Sequence, residues 1–182
     1  MKYAAFFRAL NVGGYGLIKM QRLKDLFDSA GFGNVKTYIQ SGNIVFTSHE
    51  KNPAVLEKQS EDILNKEMNY ISKTFIRTEK EITGIIKNNP FADIKLSKEL
   101  VLYYAFLGSK PGRQEQEKIL SYNSDTEKHS ISGKGIYSLI AKNQGKTLYS
   151  GGWLEKNLKQ PLTVRNWNTL LKINEMLESL RG

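Results

Sequence analysis

Cysteine is absent from this chain of 182 residues. That removes disulfides, thiol catalysis and cysteine-ligated metals in one step. Long apolar runs are lacking as well: nowhere do about 18 apolar residues follow one another, as a membrane-spanning helix requires. The opening "MKYAAFFRAL" mixes a short apolar run with an arginine and has no small-residue cleavage site. It reads as a first strand, not a signal peptide. A soluble, cytoplasmic protein with no membrane partner is expected. Histidine is scarce. His49 and His129 stand far apart, without an H-x-x-x-H spacing or an acidic cluster, so no metal site is expected. The Walker pattern, the G-x-G-x-x-G fingerprint and the G-x-S-x-G elbow are all missing, and no cofactor is implied. Glu61 and Asp62 are neighbours on a helix and point to different faces, so they form no acid–base pair.

What is present describes a globular α+β chain. Hydrophobic residues make up 40% and charged residues 25%. Net charge is +9, which attracts polyanions. The lysines are scattered and form no dense block, so nucleic-acid binding is expected to be weak and non-specific.

The elements follow in a repeating order. "KYAAFFRA" is a strand and "MQRLKDLFDSAG" a helix closed by Gly31. "VKTYIQ" and "NIVFTS" form a hairpin through Ser41 and Gly42. "NPAVLEKQSEDILNKEMN" is a helix capped by Asn52 with Pro53 in its first turn, and "ISKTFIRT" is a fourth strand. This is β-α-β-β-α-β, the ferredoxin-like unit. After a helical connector, the pattern restarts with "ELVLYYAFLG", "GRQEQEKILSYN" and the hairpin "EKHSISG"/"GIYSLIA". The second hairpin repeats the Ser-Gly tip at Ser132 and Gly133. The long run "TVRNWNTLLKINEMLESL" reads as a closing helix, leaving the second half without an obvious final strand. The expected organisation is a tandem duplication of ferredoxin-like units with antiparallel sheets: residues 1–78, a helical connector at 79–99, and residues 100–182. The first strand of each half is apolar at consecutive positions, so both sheet faces are expected to be covered. The partner half is the simplest cover.

Topology directs attention to one sheet edge. In this unit the first strand ends at the edge where the hairpin of strands two and three turns. "RALNVGGYGLIK" is thereby set beside "QSGN". Arg8, Asn11, Gly13, Gly14, Lys19, Gln40, Ser41, Gly42 and Asn43 are the expected ligand-binding residues, at a helix N-terminus that favours anions. The bland alternative is a glycine-rich connection in which Asn11 bonds local backbone. Near the other end, Thr163 is a candidate helix cap, followed by Arg165, Asn166 and Trp167. An arginine there opposes the helix dipole, so Arg165 and Asn166 join the candidate site, either on an anion or facing a carboxylate. Trp167 is expected to be buried, and Trp153 to be either a core anchor or a surface stacking residue.

The segments "RALNVGG", "GF.NVKTYIQSGNIVF" and "TVRNWNT" together resemble the bacterial domain-of-unknown-function family sixteen ninety-seven, over essentially the whole chain. The chain departs from the family's usual pattern at Ala9, where glycine is typical, and at Leu10, where isoleucine is usual. The resemblance implies a compact α+β fold with ferredoxin-like halves. It implies no activity. Three functions stay open at this stage. One is a binding protein for a phosphorylated small molecule or nucleotide-like anion. Another is a small-molecule enzyme using the same pocket, with no visible general base. The last is an interaction protein without a small ligand. An open RNA-binding sheet is disfavoured by the apolar strands.

Overall fold

A computed structural model gives the fold; it describes residues 1–11, 17–69, 73–142 and 149–180. The chain divides into two units, Met1–Ile86 together with the segment from Leu171 on, and Lys87–Leu170. The first holds β1 (Lys2–Phe7), α1 (Met20–Ser29), β2 (Gly33–Tyr38), β3 (Asn43–Thr47), α2 (Pro53–Met68) and β4 (Thr74–Thr78), followed by α3 (Glu79–Lys87). The second holds β5 (Leu100–Leu107), α4 (Arg113–Leu120), β6 (Glu127–Ser132), β7 (Gly135–Ala141), α5 (Gly151–Leu158) and β8 (Leu162–Asn166); α6 (Trp167–Glu178) follows β8, its first turn in the second unit and the part from Leu171 on in the first. The sheet orders are β2-β3-β1-β4 and β6-β7-β5-β8, antiparallel throughout. This is the expected duplication of a ferredoxin-like unit, and each copy ends in an additional helix.

The second copy is more complete than the sequence suggests. The run read as one closing helix is divided: Leu162–Asn166 is strand β8, and the helix begins only at Trp167. Thr163 therefore sits within a strand, four residues before the helix, and is not its cap. Thr163 and Val164 are β-branched and suit a pleated surface, and β8 pairs with β5 from Tyr103↔Asn166 to Leu107↔Leu162. Gly151–Leu158 forms a helix that the sequence reading passed over; Ser150 caps it, accepting the Trp153 N–H at 3.0 Å.

Local chemistry sets the first unit. Asn52 accepts the Ala54 N–H at 3.0 Å, and Pro53 occupies the first position of α2. The helix α1 ends at Ser29, two residues before Gly31, which takes φ +88°. Gly31 N–H bonds Asp28 O and Phe32 N–H bonds Phe27 O, both at 3.1 Å, while the Phe27 and Phe32 rings meet at 4.9 Å. Those two bonds and that contact make a Schellman closure. Tyr3, Ala5, Phe7, Ile44, Phe46 and Ile76 then pack on Leu23, Phe27, Leu56 and Leu64 from α1 and α2. In the second unit Ala105, Leu107, Ile136 and Leu162 pack on Ile119, Leu154 and Leu158.

The opposite sheet faces are buried as well. Ala4, Phe6, Val45 and Phe75 are buried in one, Leu102, Tyr104, Phe106 and Tyr137 in the other. Neither sheet presents an open stacking platform. Both β4 and β8 are edge strands, whose outward N–H groups need partners. Helix carboxylates supply them: Glu57 accepts from Ile76 and Glu61 from Thr74, at 2.9 and 3.1 Å, and Glu155 accepts from Leu162 at 3.1 Å. Trp167 is buried as expected, its ring 6.1 Å from that of Tyr137. Among the described residues, no helix is long and apolar enough to cross a membrane.

Candidate functional site

The loop after β1 and the β2–β3 turn do meet. Phe7 N–H bonds Gly42 O at 3.1 Å, and Arg8 N–H bonds Lys73 O at 2.8 Å. Beyond this point the backbone turns through two left-handed residues, Ala9 (φ 52°) and Asn11 (φ 58°). Asn11 then works as a clasp. Its Oδ1 accepts the Ile18 N–H at 2.8 Å, and its Nδ2 donates to Ile18 O at 3.0 Å and to Gln40 O at 2.9 Å. One side-chain amide thus closes the loop on itself and fastens it to the hairpin. Gly13 and Gly14 lie outside the described residues.

The hairpin side is equally particular. Ile39 takes φ 50° although it is β-branched and 46% exposed. That conformation is costly for such a side chain. Gly42 takes φ +76°, and a Cβ there would come within 2.7 Å of Leu10 Cδ2. Only glycine meets both demands. Asn43 is fully buried and donates through Nδ2 to Tyr38 O at 3.0 Å, so it braces the turn from inside. Ser41 is half-buried and Gln40 exposed.

Lys19, also exposed, directly follows Ile18 and is the N-cap residue of α1. That helix has no side-chain cap bond and no acidic residue in its first turn. The structure therefore gathers Asn11, Lys19, Gln40, Ser41, Gly42 and Asn43 around one edge, with half-buried Arg8 at the end of β1. Asn11 and Asn43 serve the backbone there. Lys19 and Gln40 are the exposed residues of this group.

Arg165 and Asn166 belong to the second unit. Arg165 is on β8, 7% exposed, with Nη1 donating to Thr163 Oγ1 at 2.6 Å and to Val164 O at 2.9 Å. Burial pushes its pKa down to about 10. Asn166 ends the strand and caps α6, Oδ1 accepting the Asn168 N–H at 2.9 Å. It also lines an open cavity of about 500 Å³ with Lys98, Lys142, Trp167 and Asn168.

One cluster escaped the sequence reading. His129, 3% exposed, holds Nδ1 at 3.0 Å from Ser138 Oγ, while its Nε2 has no hydrogen-bond partner among the described residues. Its ring stacks with Tyr149 at 6.0 Å and with Trp153 at 5.7 Å. Burial lowers the His129 pKa, against the opposing pull of Glu127. The pairing is buried, since Ser138 is 0% exposed, so it cannot present a nucleophile to a substrate. The available signal was parity: Glu127, His129 and Ile131 alternate onto the helix-covered face of β6.

No curated protein matches the chain. A solved structure of conserved bacterial protein SP0830 from Streptococcus pneumoniae is similar, at a TM-score of 0.71 and 25% identity, over 97% of this chain and 98% of that one. A family model described as protein of unknown function (DUF1697) matches residues 1–137, including the clasped loop and its hairpin, and the chain belongs to that family.

Proposed function

We propose that this is a binding protein for a phosphorylated small molecule or nucleotide-like anion, held at the edge where the loop after β1 meets the β2–β3 turn. The observation that carries the reading is the Asn11 clasp, which fixes the loop against Gln40 within a few residues of the uncapped N-terminus of α1. Left-handed Ala9 and Ile39 flank the same edge. Strained backbone of this kind, of order 1–3 kcal/mol per residue, persists where the surroundings over-determine it and clusters at ligand sites. Lys19 and Arg8 supply positive charge, Gln40 and Ser41 polar contacts, and the first N–H groups of α1 a field that favours anions. The net charge of +9 draws anions to the protein as a whole. The absence of cysteine suits a cytoplasmic protein.

Calorimetric titration with inorganic phosphate and with AMP tests the reading. Saturable binding is expected, and it is lost in the Arg8→Ala/Lys19→Ala double variant. Unchanged affinity in the double variant would remove this edge as the site. Fluorescent RNA should bind weakly and lose affinity steeply with salt, because scattered lysines release counterions without reading bases.

A further inference from the structure

The duplication supplies an internal control. Register matches the two copies residue for residue: Tyr3↔Thr78 in the first is Tyr103↔Asn166 in the second, and Ala4↔Arg77 is Tyr104↔Arg165. The helix after the last strand then begins at Glu79 in one and Trp167 in the other. In the first copy this corner is neutralised by its own carboxylates. Glu79 accepts from Lys2 Nζ at 3.2 Å. Glu81 accepts the Thr78 N–H and hydroxyl, both at 2.8 Å, and its own N–H bonds Thr78 Oγ1 at 3.2 Å. In the second copy the matching positions are Trp167 and Thr169, and the first turn of α6 has no acid.

Lysines gather at that second corner instead. A turn in which Ser97 Oγ accepts from Glu99 N and Leu100 N, at 3.1 and 3.0 Å, holds Lys98 in place. Lys142 N–H donates to Glu99 O at 2.7 Å, which sets the end of β7 against this turn. The Lys142 ammonium stands 5.9 Å from the Tyr103 ring, and Tyr103 pairs with Asn166. Both lysines are exposed, and among the described residues neither is in an ion pair. The cavity between them and Asn166, about 500 Å³, has no Asp or Glu among its described lining residues. Glu99 faces a separate depression, with Asp125 and Glu127. The volume lies within the range of small-molecule sites.

We infer that this cavity binds the phosphate group of a small organic phosphate, between Lys98 and Lys142 and beside Asn166, whose Oδ1 already caps the Asn168 N–H. The site shares no residue with the loop edge proposed above and stands without it.

The experiment is an NMR titration of the ¹⁵N-labelled protein with inorganic phosphate and, separately, with AMP at matched ionic strength. The amides of Asn168 and Thr169 are expected to shift saturably. The Lys98→Ala/Lys142→Ala variant should bind about tenfold more weakly or worse, since charge-assisted bonds are lost. Asn168→Asp should abolish binding and raise the melting temperature, because an acid in the first turn replaces the anion. Equal affinity for the two probes assigns recognition to the phosphate alone; tighter AMP binding adds contacts to the rest of the molecule. Arg8→Ala/Lys19→Ala should leave these shifts intact, which separates this site from the other. Amides that stay unmoved at millimolar probe, or shifts that persist in both second-unit variants, would overturn the inference.

Discussion

Arg77 and Arg165 occupy the same position in the two sheets, and each turns its Nη1 onto the carbonyl oxygen of the residue before it, at 2.9 Å. Each is 7% exposed. They differ in surroundings. Arg77 lies 3.7 Å from Glu57, whereas Arg165 bonds the Thr163 hydroxyl and has its pKa lowered to about 10 by burial. Two guanidinium groups on otherwise apolar faces indicate that the duplicated unit needs this donor.

Arg165→Met is therefore expected to destabilise the protein by about 1–3 kcal/mol, because the acceptors at Thr163 and Val164 lose their donor in a buried place. Arg165→Lys should not recover the loss, since an ammonium cannot reproduce the planar fork. Chemical denaturation of both variants checks this; wild-type stability in Arg165→Lys would show that only the charge matters.

The two hairpin tips give a paired test of glycine. Gly42 and Gly133 both have positive φ, but only at Gly42 would a Cβ strike a neighbour, Leu10, at 2.7 Å. Gly133→Ala should cost about 1 kcal/mol, the strain alone. Gly42→Ala should cost clearly more, because strain and overpacking add. Equal losses by thermal denaturation would contradict the crowding at Leu10.

Ile39→Asn is expected to stabilise the protein by about 1 kcal/mol, since asparagine tolerates the left-handed region better than a β-branched residue. The side chain is 46% exposed, so little burial is lost. A lower melting temperature would mean that Ile39 contributes packing that outweighs its strain. If the variant is more stable and also binds anion less well, the strain serves the site.

His129 makes stability depend on pH with a defined sign. Its folded pKa lies below the unfolded value because burial disfavours the cation. The unfolded chain therefore binds more protons as pH falls. Full stability is present above the ordinary histidine value of about 6.5 and is lost in the window between that value and the lowered one, by at most about 1.4 kcal/mol per pH unit. Below the window the contribution is flat. His129→Gln should flatten this part of a melting-temperature profile from pH 8 to 5. A profile equally steep in the variant would assign the effect to other groups.

Some of this architecture is legible in the sequence, because the physics behind it is local. The Asn52-Pro53 start of α2, the turn at Gly31 and the two Ser-Gly tips follow from capping and from left-handed backbone, within a few residues of each other. The duplication is readable because a strand, a helix and a hairpin with a Ser-Gly tip recur in the same order in the second half. Even the meeting of Asn11 with Gln40 follows from topology once the order β-α-β-β is known.

Tertiary structure decided the rest. Two β-branched residues are too weak a signal to separate strand from helix in "TVRNWNT" when the helical spacing of Trp167, Leu170, Leu171 and Ile173 follows directly. What makes Leu162–Asn166 a strand is pairing with β5, some sixty residues earlier in the chain. The burial of Arg165, the stacking of His129 with Tyr149 and Trp153, and the placing of Lys98 and Lys142 on one cavity likewise depend on which strands become neighbours. Residue type sets what a side chain can do, and local spacing sets the element it joins. Which partners it meets depends on non-local pairing, whose free energy is gained only when the whole sheet closes.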